Sequence, residues 1–471
     1  MSQNIILSQV FEKINDYLKK DTLIDYKAPF ELHDAINFSI AEKGVGEHEF
    51  LELIDKYLDY SVNTNHPQFL NQLYSGFNFP AFIGEIFTAL ANTSMYTYEV
   101  APVATLIETE MIQLMNSYTG YKNGDGIFVS GGSNANLVAM FSARNQIAPE
   151  SRHKGYDKNL KLRAFVNEHA HYSFANAANI IGIGTESLIK IKTDENGRMI
   201  PKELEQKIIA SKKRGETPFF VGVTCATTLF GAYDPIDEIA EICQKYNVWL
   251  HADGSFGGSI ILSSQHRYLL KGIEKTNSFA WNPHKLMNIP LICSALLVKT
   301  KGTLHHNIAD VDADYLFHDL NLVEDLGKKS IQCGRRVDAV KLWFAWKYFG
   351  TAGYEKRIDN LMHLAELAEK IVIKRTKLEL LTPRQSFTVC FRYLPEVDTD
   401  INHFNLLLRE ELRKTGKTLV NYGYINNILT LRLVITNGEM SPKDIALFFD
   451  NLLETALILE KNYSIEPIEK R

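Results

Sequence analysis

Two residues in the middle of the chain, Asp253 and Lys285, have side chains that could hold one small molecule by ionic and covalent bonds. Lys285 lies in Asn282-Pro283-His284-Lys285, and Asp253 ends Trp249-Leu250-His251-Ala252-Asp253. A lysine amine can form a Schiff base with an aldehyde, and a carboxylate can keep a neighbouring ring nitrogen protonated. These are the minimum requirements for holding pyridoxal phosphate (PLP). Taken singly, Asp253 could instead cap a helix and Lys285 could be an ordinary surface lysine.

The segment before Asp253 predicts the elements that position it. Residues 219–223 form a continuous apolar run, which is typical of a strand buried on both faces of a parallel sheet. Asp234 and Pro235 then predict an N-cap and a first-turn proline of a helix, and residues 248–250 predict the next strand. Asp253 would therefore lie at the carboxyl end of a strand in a βαβ unit, where open α/β sheets bind ligands. Similar runs at 127–129, 164–166 and 295–298 predict one large α/β domain.

A candidate phosphate site follows the run at 127–129. The segment Ser130-Gly131-Gly132-Ser133-Asn134-Ala135-Asn136 opens a predicted helix that continues to residue 143. Glycines let the backbone approach a phosphate closely, and a helix start offers free N–H groups. The spacing is neither that of a dinucleotide fingerprint nor that of a P-loop. The alternative is a Gly-Gly turn with a serine cap.

In these features the chain resembles the group II PLP-dependent amino-acid decarboxylases, of the branch that contains glutamate, cysteine sulfinate and aspartate decarboxylases. The resemblance runs from about residue 66 to the C-terminal helix, and the earlier residues match weakly. It depends on His66-Pro67-Gln68-Phe69-Leu70-Asn71-Gln72-Leu73, Asn92-Thr93-Ser94-Met95-Tyr96-Thr97-Tyr98-Glu99, Asn282-Pro283-His284-Lys285 and Gln332-Cys333-Gly334-Arg335-Arg336-Val337-Asp338.

The resemblance implies the PLP-dependent transferase fold type I, the α/β fold of aspartate aminotransferase. This fold has a large, mostly parallel sheet domain and a smaller C-terminal α+β domain. We predict an N-terminal helical segment at 1–65 that packs on a partner subunit, a large PLP-binding domain at 66–345 and a small domain at 346–471. In the first segment, Ile5, Val10, Phe11, Ile14 and Leu18 approximate one helical face. A homodimer with active sites at its interface is also implied.

The same resemblance implies roles for individual residues. Lys285 is the expected Schiff-base lysine, Asp253 the partner of the pyridine nitrogen, and His171 the residue that stacks on the ring. Without the resemblance, His171 would be an ordinary core or surface histidine. The other expected cofactor contacts are Ser133, Asn134, Asn282 and His284 at the phosphate, with Thr228 and Ser255 beside the ring. Ser255 stands where the family usually has alanine, a change that a small hydroxyl should allow.

Four residues are candidates for substrate binding. Arg432 lies in an apolar, β-rich stretch, where an unpaired guanidinium would be costly to bury, so it should meet a carboxylate from the substrate or from the protein itself. Gln72 and Asn92 match family positions in the same pocket. Tyr74 replaces the small residue of the glutamate enzymes and should shorten the pocket. We therefore expect decarboxylation of aspartate or cysteine sulfinate to the amine and CO2, with glutamate decarboxylation to 4-aminobutyrate as the alternative.

One departure from the family concerns the proton donor. The related enzymes carry a mobile loop whose tyrosine protonates the alpha carbon after CO2 leaves. Here residues 318–330 form a shorter stretch without tyrosine. His318 could replace that donor, since its ordinary pKa suits proton transfer. Otherwise the enzyme would form an aldehyde or transaminate after decarboxylation. Two other classes of function are open to this chain: a different PLP enzyme on the same fold, and a scaffold protein that kept the fold without the cofactor.

Composition is consistent with a metabolic enzyme. The 471 residues carry a net charge of −5, and clusters such as Lys212-Lys213-Arg214 are too few for a nucleic-acid-binding face. The apolar stretch at 77–91 is interrupted by Pro80 and Glu85 and is too short to span a bilayer. The first residues lack a secretory signal pattern, and five scattered cysteines fit reduced thiols, so we expect a cytoplasmic protein. No metal-ligand spacing is present, and we expect no metal.

Overall fold

The computed structural model describes residues 3–155, 157, 159–308, 317 and 325–465. Within these residues the α-helices are α1 (Gln3–Leu18), α2 (Pro29–Ala35), α3 (Glu47–Tyr60), α4 (Phe79–Ala91), α5 (Pro102–Thr119), α6 (Gly132–Ile147), α7 (Ser151–Lys154), α8 (Ser173–Ile180), α9 (Pro201–Lys213), α10 (Ile236–Tyr246), α11 (Thr303–Ile308), α12 (Asp338–Lys374), α13 (Ile401–Thr415) and α14 (Pro442–Ile465). The strands are β1 (Phe69–Leu70), β2 (Asp125–Val129), β3 (Leu162–Asn167), β4 (Leu188–Ile191), β5 (Thr217–Thr224), β6 (Trp249–Gly254), β7 (Ser278–Trp281), β8 (Ser294–Val298), β9 (Leu378–Leu380), β10 (Thr388–Tyr393), β11 (Leu419–Ile425) and β12 (Ile428–Val434). Short 3-10 helices lie at Thr185–Ser187, Gly257–Leu262, Arg267–Leu270, Ile273–Lys275 and Leu326–Lys329.

A seven-stranded sheet forms the larger core, in the order β2-β8-β7-β6-β5-β3-β4. Its strands are parallel except β8, which is antiparallel to both of its neighbours, β2 and β7. All five strands predicted from apolar runs belong to this sheet, and their side chains are almost entirely buried, as expected for strands covered on both faces. The predicted mostly parallel α/β sheet is confirmed. Because β2, β5, β6 and β7 point the same way, their carboxyl ends meet at one edge.

A five-stranded sheet forms the smaller core, in the order β1-β11-β12-β10-β9. Its strands are antiparallel except for the parallel pair β1 and β11. The strand β1 comes from the range predicted for the large domain, so the smaller sheet takes one strand from far earlier in the chain. The helix α12 leads into this part and is interrupted at Gly350, whose φ of +64° suits glycine, close to the predicted boundary at 345.

The prediction that Asp234 caps the helix α10 is wrong. Pro235 occupies the N-cap position. The Asp234 carboxylate is buried, and it accepts hydrogen bonds from the backbone N–H groups of Thr224 and Met199 and from Nδ2 of Asn167, each at 2.7 Å. Burial raises the pKa of Asp234 to about 6 although these hydrogen bonds oppose the shift. Asp234 therefore connects β5 to neighbouring segments by hydrogen bonds and does not cap α10.

No helix of the described residues has both the length and the apolar character needed to cross a bilayer. Among the same residues, no cluster of three or more His, Cys, Asp or Glu side chains is arranged to hold a metal ion.

Candidate active site

A cavity of about 210 Å³ lies at the edge where the parallel strands of the large sheet end. It is bounded by the ends of β5 and β6, the start of α6 and the turn after β7. Its lining residues are Leu73, Gly132, Ser133, Asn136, His171, Thr224, Ala226, Thr228, Asp253, Ser255, Phe256, Asn282, His284 and Lys285. The structure therefore brings eight of the nine predicted cofactor residues to one cavity. The exception is Asn134, which lies next to Ser133 on α6 but is not part of the lining.

Lys285 lies in the turn after β7, where its backbone N–H donates to the carbonyl of Asn282 at 3.1 Å. Burial lowers the pKa of Lys285 to about 8, the charge of Asp253 opposes that shift, and the charge of Arg432 adds to it. A much larger fraction of this amine is therefore unprotonated near neutral pH than of an exposed lysine amine. An unprotonated amine is the form that attacks a carbonyl.

Asp253 lies near the end of β6 and is buried. Its Oδ1 accepts the backbone N–H of Ser255 at 3.0 Å, and its Oδ2 accepts Nδ2 of Asn136 at 2.8 Å. Burial alone would raise the pKa of Asp253, but these hydrogen bonds, together with the charge of Lys285, outweigh it and leave the pKa below its usual value. The side chain is therefore a carboxylate, as required of a partner for a protonated ring nitrogen.

His171 lies just before α8, with its ring at the cavity wall. Its Nδ1 is 2.9 Å from Oγ of Ser173 and accepts the backbone N–H of the same residue at 3.2 Å. Burial lowers the pKa of His171; the charge of Asp253 opposes the shift and that of Lys285 adds to it. The ring is therefore neutral and held in place, which suits a residue that covers a flat ring.

The start of α6 is open to the cavity. The N-cap residue is Gly131, with φ of +109°, and no side chain caps the helix, so the serine-cap alternative is not realised. A Cβ on Gly132 would lie 2.2 Å from Oγ of Ser255 and 2.9 Å from Nδ2 of Asn282, so only glycine fits without a shift. The free N–H groups of this helix start are suited to an anion.

Asn282 and His284 approach the same end from the turn after β7. Oδ1 of Asn282 accepts Oγ–H of Ser294 at 2.8 Å, and Nδ1 of His284 is 2.7 Å from the carbonyl oxygen of Cys293. Burial, aided by the charge of Lys285, lowers the pKa of His284 to about 3, so the ring is neutral. Both side chains are fixed by partners outside the cavity, which leaves the Nδ2 group of Asn282 facing the glycines.

The residues present fit PLP. Oγ of Ser255 is buried and has no hydrogen-bond partner among the described residues, as expected of a group that meets a ligand. Lys285 can bind the aldehyde, Asp253 the ring nitrogen and the start of α6 the phosphate. When bound, PLP supplies an electron sink for negative charge at the alpha carbon of an amino acid.

Arg432 is buried on β12 beside this cavity. Its Nη1 donates to the carbonyl of Thr228 and its Nη2 to that of Asn71, each at 3.1 Å, while Nε has no partner in the described part of the chain. Burial lowers the pKa of Arg432. No carboxylate of the described residues lies within 4.0 Å, although Asp and Glu pair with many of the other arginines.

The other three substrate candidates are not brought into this cavity within one chain. Gln72 is exposed and donates to Oδ1 of Asn71 at 3.3 Å. Asn92 is exposed at the C-cap of α4, with φ of +45°. Tyr74 lines a neighbouring, more apolar cavity of about 350 Å³, which shares His284 with the first. Their roles remain predictions.

Asn136 is the main residue that the sequence prediction missed. It lies three positions after Ser133 and therefore on the same face of α6, which was the available signal. Thr224, Ala226, Phe256 and Leu73 were also missed; they belong to apolar or uncharged stretches that carry no chemical signal.

The predicted proton donor His318 lies outside the described residues, together with Tyr315, Leu316 and the rest of 318–324. The following segment is described. Oδ1 of Asp325 accepts the backbone N–H of Tyr98 at 2.8 Å, and the backbone N–H of Gly327 donates to the carbonyl of Tyr96 at 2.9 Å.

Comparison with known proteins identifies the family. The family model described as "Pyridoxal-dependent decarboxylase conserved domain" matches residues 29–394. Human "Acidic amino acid decarboxylase GADL1" is 37% identical over 462 residues, which cover 95% of this chain and 88% of that protein. Mouse "Cysteine sulfinic acid decarboxylase" is 37% identical over 441 residues, which cover 90% and 89%. The crystal structure of mouse CSAD matches with a TM-score of 0.92 at 35% identity, covering 96% of this chain and 98% of that one. The chain therefore belongs to the pyridoxal-dependent decarboxylases, and its cofactor is PLP.

Proposed function

We propose that the enzyme decarboxylates small acidic L-amino acids at the alpha carbon, with aspartate or cysteine sulfinate preferred to glutamate. The observation that carries the proposal is the buried guanidinium of Arg432, which has no acidic partner among the described residues. Its two bonds to carbonyl oxygens orient the group but do not neutralise it, and an unpaired buried charge is costly. An acidic group on the substrate would supply the missing charge in a bidentate geometry.

The names of the relatives support this choice of substrate class, since the human relative is called an acidic amino acid decarboxylase and the mouse relative a cysteine sulfinic acid decarboxylase. Tyr74 lines the neighbouring cavity that shares His284, and it would favour the shorter acids where that cavity receives the substrate side chain, because an aromatic ring leaves less room than a small residue. Glutamate, with 4-aminobutyrate as the product, is the alternative substrate.

Each catalytic side chain has a task that its surroundings allow. Lys285 Nζ would hold the cofactor covalently and, once released from it, could move protons at the substrate nitrogen. Asp253 holds a proton on the ring nitrogen through its carboxylate. His171 covers one face of the ring, and Arg432 orients the substrate by its side-chain acid, which leaves the alpha-carboxylate as the group that departs as CO2.

The experiment is incubation of the enzyme with aspartate, cysteine sulfinate, cysteate and glutamate, followed by identification of each product. Arg432→Lys replaces a planar fork by a point charge, and we expect it to cost about 2 kcal/mol or more in kcat/KM for every acidic substrate. The matched control is Arg392→Lys on the neighbouring strand β10, because the Nε group of Arg392 already donates to Glu379 at 2.5 Å. Equal losses in the two variants, or no loss in the first, would refute the role of Arg432.

We further propose that His318 protonates the alpha carbon, so that the amine is the main product. Slow inactivation that added PLP reverses should accompany turnover if this donor replaces the family's tyrosine imperfectly. Mass spectrometry of the products and an assay for hydrogen peroxide decide the matter. Stoichiometric aldehyde or peroxide would favour the alternative, a decarboxylation-dependent aldehyde-forming or transaminating enzyme. Unchanged amine formation in His318→Ala would exclude His318 as the donor.

Three coarser features complete the proposal. We propose a homodimer, supported by exposed apolar side chains such as Ile40 at 96%, Leu90 at 77% and Val103 at 69%, which a partner subunit would cover. Light scattering on the purified protein tests it.

We also propose the division into a segment at 1–65, a large domain at 66–345 and a small domain at 346–471, with the first segment packed on the partner subunit. A cytoplasmic location is supported by the five cysteines, none of which forms a disulfide.

A further inference from the structure

A chain of buried polar side chains leads to Asp253 from the start of β6, and its last member before Asp253, Asn136, lines the cavity. Nε1 of Trp249 is 2.9 Å from Oγ of Ser278, which is 2.8 Å from Nδ1 of His251. Nε2 of His251 is 2.9 Å from Oδ1 of Asn136, whose Nδ2 donates to Oδ2 of Asp253 at 2.8 Å. All of these side chains are buried. Every link has hydrogen-bond geometry, so the chain is continuous along one face of the sheet, from Trp249 at the start of β6 to Asp253 at the cavity.

The donors of this chain all point toward Asp253. The Trp249 indole can only donate, so Ser278 accepts from it and keeps its own proton to give; it gives that proton to Nδ1 of His251 in the one direction that leaves the Asn136 amide N–H facing the carboxylate. His251 then carries its proton on Nε2 and donates to Oδ1 of Asn136. Burial lowers the pKa of His251 to about 4, which keeps the ring neutral with one proton to place. The opposite direction would turn the Asn136 oxygen toward the carboxylate and set two acceptors against each other.

The Asn136 amide also reaches the second group that faces the cofactor ring. Its Nδ2 donates to Oγ of Ser173 at 3.0 Å as well as to Asp253. The Ser173 hydroxyl is in turn 2.9 Å from Nδ1 of His171, and with its proton directed there the His171 ring must carry its own proton on Nε2. One amide therefore connects the expected partner of the ring nitrogen with the expected stacking histidine.

We propose that Asn136 is a positioning residue that sets both groups, and that the chain from Trp249 through His251 fixes its orientation. In this arrangement Oδ2 of Asp253 is held as a hydrogen-bond acceptor and the His171 ring is held in one tautomer before the cofactor binds. The inference rests on the proposed roles of Asp253 and His171. It makes no use of the acidic substrate, so it can fail while the substrate proposal stands.

The first test is nitrogen NMR of the full-length protein labelled at histidine, with and without PLP. We expect the His251 and His171 signals, assigned by their loss in His251→Gln and His171→Gln, to be those of neutral rings protonated on Nε2. A ring protonated on Nδ1, or a charged ring, at either position would overturn the inference. The protonation states are measured on the unaltered protein, and the two variants, which must keep the remaining histidine signals, serve only to assign the peaks.

The second test compares PLP dissociation constants of folded variants. Asn136→Leu removes the amide at similar volume and should weaken PLP binding about 10- to 100-fold, since it removes a hydrogen bond to a charged group. His251→Gln keeps a donor near the Nε2 position and should restore most of the affinity that His251→Leu loses. Wild-type affinity in Asn136→Leu, or equal affinities in the two His251 variants, would overturn the positioning role.

The control comes from a second buried tryptophan on the neighbouring strand. Nε1 of Trp281 donates to Oγ of Ser259 at 2.9 Å, in a pair that has no link to Asp253. Trp249→Phe should weaken PLP binding and alter the His251 NMR signal, whereas Trp281→Phe should change neither. Equal effects of the two changes would show that only core packing is at work, which would refute the orienting role of the chain.

Discussion

The depressed pKa of Lys285 predicts an unusual pH dependence of cofactor uptake. With a pKa of about 8, half of the Lys285 amines are unprotonated at pH 8. An ordinary lysine, with its pKa of 10.5, would be unprotonated to roughly 0.3% at that pH, a difference of roughly 150-fold in the reactive form. The assay is the rate at which the PLP-free enzyme develops the visible absorption of the bound cofactor between pH 6.5 and 9.5. N-acetyl-lysine, measured in parallel, corrects for titration of PLP itself.

The rate of cofactor uptake plotted against pH has a midpoint at the pKa of Lys285. Two substitutions should move this midpoint in opposite directions. Arg432→Gln removes a positive charge that lowers the pKa of Lys285, so the midpoint should rise. Asp253→Asn removes a negative charge that raises it, so the midpoint should fall. Arg392→Gln, which alters an arginine already paired with Glu379, is the control and should leave the midpoint unchanged. A wild-type rate that still rises about tenfold per pH unit up to pH 9.5, as for an ordinary lysine, or shifts of the same sign in the two test variants, would refute this account.

The lowered pKa of Lys285 also affects the stability of the PLP-free enzyme. Because the pKa of Lys285 is lower in the folded state, the unfolded chain binds more protons at this residue between pH 8 and 10.5. The contribution of Lys285 to the free energy of unfolding should therefore increase as the pH rises through that window. Comparison of the pH-dependent thermal unfolding of the wild type with that of Lys285→Met isolates this contribution, which is absent from the variant.

Further predictions concern the cavity wall, the ring nitrogen and substrate length. Gly132→Ala should raise the PLP dissociation constant, measured by equilibrium dialysis, about tenfold or more, because the new methyl group would lie 2.2 Å from Oγ of Ser255. The control is Gly44→Ala, which should leave the constant unchanged because no atom lies within 4 Å of the added Cβ. Asp253→Asn should retain PLP weakly and lose several orders of magnitude in kcat, and a wild-type rate would contradict the assignment. Tyr74→Ser should shift the ratio of kcat/KM values from aspartate toward glutamate, and an unchanged ratio would remove Tyr74 from the substrate pocket.

The sequence was sufficient for the parts of the site that lie on regular elements. Strands with continuous apolar runs could be located because burial on both faces requires them, and Asp253 and Lys285 could then be assigned to one edge of the sheet. The position of Asp234 could not be predicted, since Asp-Pro before a helix is a common cap and only the three-dimensional meeting of three donors favours its buried position. Asn136 is one of several polar residues at a helix start, and nothing local indicates which of them faces the carboxylate.

The substrate residues show a different limit of sequence prediction. Arg432 could be predicted because a charge in an apolar strand must find a partner. Gln72 and Asn92 were assigned by family position alone, and the fold of one chain leaves both exposed. In the proposed homodimer, positions of this kind would depend on contacts between subunits, which neither hydrophobic periodicity nor a motif specifies.

The origin of β12 in the smaller sheet has a consequence for how such an enzyme can change its substrate during evolution. The groups that face the cofactor come from the large sheet and its connections, whereas Arg432 comes from β12 and touches the large sheet's part of the chain through the carbonyl of Thr228. Mutations in β12 and its neighbours β10 and β11 can therefore alter which side chain is recognised without displacing Lys285 or Asp253. With the proposed role for Arg432, a new specificity could arise through the smaller sheet while Lys285 and Asp253 keep their positions, and a change at Arg432 itself would also shift the pKa of Lys285.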